Sequence, residues 1–102
     1  MSSLSFAGNS SSYLNVPNNV GLNFGTGDFT VELWVYFTVD PTSTNQYYIV
    51  DTHLSGDAGT WTLQSYSGNF RWVHWSGGFQ ITGSTTLSSN KWYHVAVART
   101  GG

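Results

Sequence analysis

Nine consecutive residues, FTVELWVYF from Phe29 to Phe37, alternate so strictly that an extended strand is the one element that can use them. Phe29, Val31, Leu33, Val35 and Phe37 share one face at period two, and Thr30, Glu32, Trp34 and Tyr36 share the other. The first face is wholly apolar and demands a core. The second is amphipathic and carries large aromatic rings. It suits a central strand whose outer side is a broad aromatic surface or a partly covered second layer.

The rest of the chain agrees with sheet rather than helix. Alanine is scarce, β-branched and aromatic residues dominate, and clusters of Gly, Asn or Ser recur about every eight to twelve residues, the rhythm of a sandwich or barrel. The spacing predicts short strands at Leu4–Phe6, Tyr13–Val16, Phe29–Thr38, Tyr47–Thr52, Thr60–Tyr66, Phe70–Trp75, Phe79–Thr82 and Trp92–Ala98. Between them stand Pro17-Asn18-Asn19, Gly25-Thr26-Gly27, Asp40-Pro41, Ser55-Gly56-Asp57, Ser67-Gly68-Asn69 and Gly77-Gly78, which are turn sequences. Both prolines fall in turns, where they interrupt no ladder. The expectation is a single all-β domain over residues 1–102, an antiparallel sandwich of the jelly-roll kind.

Composition narrows the function. Charged residues are 8% of the chain, and five acids against three bases leave a net charge of −2. Nothing here provides the basic footprint that nucleic acid or an anionic membrane requires. The polar surface must come from 14 Ser, 12 Thr and 8 Asn, which are neutral and hydrogen-bonding. Aromatics at 17% supply core bulk and argue against disorder. The absence of cysteine excludes a disulfide framework and thiolate metal sites. No apolar run is long enough to span a membrane as a helix, so no membrane insertion is expected. MSSLSFAGNSSS lacks the basic patch and apolar core of a signal peptide, which points to a cytosolic product or an internal piece of a longer protein.

Three segments in order, SLSFAGNSSSYLNVP, LNFGTGDFTVELWVY and STTLSSNKWYHVAVARTGG, resemble laminin-G-like domains of the concanavalin A-like lectin and glucanase superfamily. They are similar to that family's opening, its central strand and the strand that follows; WTLQSYSGNFRWVHW occupies the place of a more variable strand pair. The resemblance implies a jelly-roll sandwich and, most often, a recognition role. Ala7, Ser11-Ser12 and Thr100 stand where the family commonly has acids. Family members also continue past the Gly pair with further strands. KWYHVAVARTGG, Lys91 to Gly102, therefore reads as an interior strand that stops before its hairpin partner. The domain is expected to be incomplete at its C-terminus, with Trp92–Ala98 paired on its open side by a neighbouring chain, by further sequence or by the N-terminal strand.

Catalysis is not expected. Glycoside hydrolysis normally needs two carboxylates about 5–10 Å apart, and the strand that would carry them offers Glu32 alone. No Ser-His-Asp or Cys-His arrangement suggests a nucleophile. DTHLSGD places Asp51 and Asp57 in one strand end and loop, where they could serve calcium; a solvated turn is the plainer reading, and otherwise no cofactor is expected. His53 with two distant acids is a poor zinc pattern.

Glycan recognition fits better: aromatic rings stack on sugar C–H faces while Asn, Gln or His serve the hydroxyls, in a shallow and sparsely charged pocket. Family patterning turns Phe70, Trp72 and His74 inward, and Arg71, Val73 and Trp75 outward. Trp75, next to Ser76-Gly77-Gly78, is the leading ligand contact, followed by Trp61, Tyr66, Asn69 and Arg71. Trp34, Trp92 and His94 are assigned to packing. The expected function is a non-catalytic module that recognises a glycan or glycoprotein surface. The alternative is a structural module of a phage or viral particle or surface fibre, using the sandwich for contacts with neighbouring chains. The sequence leaves the compartment open, and either role fits an extracellular surface or a virion better than the cytoplasm.

Overall fold

A computed structural model of the chain describes residues 2–9, 11–15, 24, 27–42, 46–52, 60–74 and 79–101, and the backbone alone at Phe79. Six strands form, in the order β1 (Phe29–Tyr36), β2 (Gln46–Asp51), β3 (Trp61–Tyr66), β4 (Asn69–His74), β5 (Phe79–Thr82) and β6 (Trp92–Arg99). They make two antiparallel sheets, β1-β6 and β2-β3-β4-β5. The inner faces of the two pack together, so the molecule is the all-β sandwich that the strand rhythm predicts.

β1 pairs with β6 along its whole length, Phe29 opposite Arg99 through Tyr36 opposite Trp92. Val31, Leu33 and Val35 point inward with Tyr93, Val95 and Val97, toward Trp61, Leu63 and Trp72 of the larger sheet and toward Phe37 and Leu87 beyond the strand ends. Four aromatic rings run in sequence through this interior. Phe24 stacks on Trp61 at 5.6 Å, Trp61 on Trp72 at 4.5 Å, Trp72 on Phe29 at 5.4 Å, and Phe29 back on Phe24 at 4.6 Å. Such pairs add about 0.5–1.5 kcal/mol each beyond the area they bury.

Local sequence accounts for the joints. β3 and β4 are joined by Ser67-Gly68, with φ of 49° and 84°. Two successive positive φ values make a primed two-residue turn, whose twist matches that of a hairpin. Asp40 Oδ1 accepts from the Thr42 amide at 2.9 Å and the Thr42 hydroxyl at 2.7 Å, closing the turn around buried Pro41. In β2 the register slips between Tyr48 and Val50, and this bulge lets both Ile49 and Val50 reach the core.

The expected strands at Leu4–Phe6 and Tyr13–Val16 do not form among the described residues. Leu4, Phe6, Tyr13 and Leu14 are largely exposed, and around them Asn9 gathers Ser11 and Ser12 into a local turn, its Oδ1 accepting from both hydroxyls. A strand needs a neighbouring strand to satisfy its backbone, and none is paired with this segment. The far edge of β6 likewise has no strand partner among the described residues.

Candidate functional site

Directly opposite residues of an antiparallel pair share a face. On the outer face of β1-β6 this rule sets Trp34 beside His94, and Tyr36 beside Trp92. Trp34 is 61% exposed, Trp92 49% and Tyr36 40%. The rings touch in pairs, with centroids at 5.1 Å for Trp34 and His94 and 5.3 Å for Tyr36 and Trp92. Residues two apart on a strand stand about 7 Å apart, so the four rings form a small flat array.

Its rim is polar. His94 Nε2 lies 3.4 Å from Glu32 Oε2, and the Tyr36 hydroxyl donates to Asn90 Oδ1 at 3.4 Å. Asn90 sits in the left-handed region, φ 62°, where its amide donates to the Phe37 carbonyl at 2.7 Å. Stacking surface, one carboxylate, one imidazole and one carboxamide are therefore within reach of a single ligand. The assignment of Trp34, Trp92 and His94 to packing is overturned: they lie on the side of the sheet opposite the core, since Leu33, Tyr93 and Val95 take the inward positions.

The outer face of the larger sheet is different in kind. Arg71 lies opposite Gln64, Tyr66 opposite Asn69 and Gln46, and Asp51 opposite Thr62. The Arg71 guanidinium rests 3.8 Å above the Tyr66 ring, and its Nη2 donates to Gln64 Oε1 at 2.8 Å. Gln64 also accepts from Gln46 Nε2 and donates to Thr62 Oγ1 at 3.0 Å. Asn69 Nδ2 donates to the Thr85 carbonyl at 3.0 Å. Thr62 and Val73 are buried on this same outward side, so the exposed part is the end that carries Tyr48 and Tyr66.

The residues expected from sequence to bind ligand thus separate. Tyr66, Asn69, Arg71 and Asp51 share one face. Trp61 does not join them. It is 2% exposed and stacked between Phe24 and Trp72, so no ligand reaches it from solvent. The signal was its period-two partner Leu63, which shares its inward face. Trp75 and Asp57 lie outside the described residues. Among the described residues no three His, Asp or Glu side chains gather as a metal site. Phe70 and Trp72 turn inward as patterning implies, and Arg71 and Val73 lie on the other side.

Beside the free edge of β6, the two sheets leave a groove of about 190 Å³ lined chiefly by Leu63, Phe70, Trp72, Ile81, Val95 and Val97. Arg71, Thr85 and His94 also line it, so it is mainly but not wholly apolar.

The family model of the concanavalin A-like lectin/glucanases superfamily, Laminin_G_3, matches residues 7–102. The chain belongs to this family. No curated protein and no solved structure matches it. In this laminin-G-like sandwich the paired strands DFTVELWVY and KWYHVAVAR are adjacent, and together they build the aromatic array.

Proposed function

We propose that this laminin-G-like domain is a non-catalytic recognition module that binds carbohydrate on the outer face of β1-β6. The observation that carries the reading is the exposed array of Trp34, Tyr36, Trp92 and His94, with Glu32 and Asn90 at its edge. Large aromatics held out in solvent mark a binding surface, and here they lie flat in a sheet next to hydrogen-bonding groups that suit sugar hydroxyls. Among the described residues Glu32 is the one carboxylate on this face, which supports recognition rather than hydrolysis, a reaction that uses two.

Covering one Trp face with a sugar removes roughly 60–80 Å² of apolar surface from water, about 2 kcal/mol. A glycan array probed with the wild-type chain and with Trp34→Ala/Trp92→Ala tests this. Glycans that bind the first and not the second support the reading. An array without hits, or hits unchanged by the substitutions, counts against it.

A second reading, a structural module that assembles with neighbouring chains, is favoured by one observation. The free edge of β6 runs beside the apolar groove between the sheets, a geometry that accepts an added strand from another chain. A well-folded monomer in native mass spectrometry at micromolar concentration would argue against that alternative.

A further inference from the structure

Arg71 stands apart from the other two cationic side chains of the chain. Arg99 is tied to the Gly27 carbonyl through Nε at 2.9 Å and also through Nη2, and Lys91 lies 5.4 Å from the centre of the Tyr93 ring. Arg71 is held only by neutral groups: a tyrosine ring beneath it and the oxygen of a carboxamide at its side. Among the described residues no carboxylate is paired with it. Asp51 is on the same face but two strands and one residue pair away. Strand spacing puts their Cα atoms about 12 Å apart.

The guanidinium is also fixed in place. Gln64 is fully buried, and its amide is held in turn by Thr62 and Gln46. Arg71 Nε is buried without a hydrogen-bond partner, so the Nη edge is the part that a ligand can reach. Around that edge stand the Gln46 and Asn69 carboxamides and the Tyr48 hydroxyl, each able to bond an alcohol. A preorganised cation without a counter-charge, ringed by neutral polar groups, is complementary to one carboxylate on a polyhydroxylated frame.

We propose that the outer face of β2-β3-β4 is a second binding site, specific for the carboxylate of an acidic sugar residue. The ligand class rests on the carbohydrate reading above, but the site lies on the opposite side of the sandwich from the aromatic array and uses different residues. The carboxylate takes the Nη edge of Arg71, and the sugar hydroxyls take Gln46, Tyr48 and Asn69.

The test is an amide-resonance titration of the full chain with trigalacturonic acid and with its methyl ester, which keeps the ring hydroxyls and removes the charge. The acid shifts resonances of Gln64, Tyr66, Asn69 and Arg71, and the ester binds roughly ten- to a hundredfold more weakly, the loss of a charge-assisted pair. Arg71→Gln loses the same factor toward the acid, and Arg71→Lys part of it. Equal binding of acid and ester at this face overturns the proposal, and so does an acid response that survives Arg71→Gln. Because the ester is a change in the ligand, the test stands even where an Arg71 variant fails to fold. Acid binding here with no neutral glycan on the aromatic array leaves this site standing and removes the first; the converse removes only this one.

Discussion

In the larger sheet β3 hides five consecutive residues, Trp61 through Ser65, on both of its faces. In the smaller sheet β1 covers every second residue and leaves Thr30, Glu32, Trp34 and Tyr36 in solvent. Both strands alternate in sequence, yet one carries structure on both sides and the other on one. The covered side of β3 that does not face the core holds Thr62 and Gln64, tied into a polar network. The bare side of β1 holds tryptophan and tyrosine. Burial has thus gone to side chains that can satisfy one another, while large apolar rings have been left where a ligand can use them.

The sharpest way to break this contrast is to truncate one tryptophan on each side. Trp61→Ala removes the centre of the aromatic stack and is expected to cost about 3–5 kcal/mol, read as a drop in the denaturant midpoint. Trp92→Ala is expected to change stability by less than about 1 kcal/mol, because its ring has no core to vacate. Comparable losses in the two variants would contradict the division of labour.

Next in size is the hairpin that holds the larger sheet. Gly68→Ala forces a side chain into φ 84° and brings a Cβ within 3.4 Å of the Thr42 backbone, with an expected cost of about 1–2 kcal/mol. A smaller effect of opposite sign is expected at Ser65. Its hydroxyl is buried in β3 without a hydrogen-bond partner. Ser65→Ala removes that unmet group and should raise stability by up to about 1 kcal/mol. A loss there would show that the hydroxyl is satisfied in solution.

The smallest effect concerns pH. The Thr42 hydroxyl and amide hold the Asp40 carboxyl below its ordinary value. A carboxylate with a lowered folded-state pKa adds stability that is present above about pH 4, the ordinary Asp value, and is lost as pH falls through the folded value. Asp40→Asn should therefore lower the neutral-pH melt slightly and flatten the shallow acid limb, the two proteins converging at low pH. A steeper acid limb in the variant would contradict the assignment.

Much of the fold was legible because period two is a strong signal wherever one face is apolar. β1, β3, β4, β5 and β6 begin and end within a residue or two of where alternation and turn residues place them. The N-terminal pair was not legible in the same way. LSF and YLNV have strand-like composition, but a strand also requires a partner, which a local pattern does not specify. The site was legible in part. Alternation shows that Trp34 and Tyr36 share a face with Glu32, but not whether a second layer covers that face, and so Trp34 read as packing. Trp61 was misread because its aromatic character was weighed apart from Leu63, its neighbour on the same face. Arg71, Tyr66 and Asn69 were named as ligand contacts, and the tight Ser67-Gly68 turn sets Tyr66 opposite Asn69 on the face that carries Arg71.

The central claim is that a sugar stacks on the outer face of β1-β6. The most direct measurement follows the indole N–H resonances of the five tryptophans while a glycan selected on the array is added, with Trp34→Ala and Trp92→Ala fixing two of the assignments. The account predicts that the signals of Trp34 and Trp92 move with saturable binding while those of Trp61 and Trp72 stay in place. Saturable binding that leaves Trp34 and Trp92 unmoved, or that shifts the core pair instead, would contradict it.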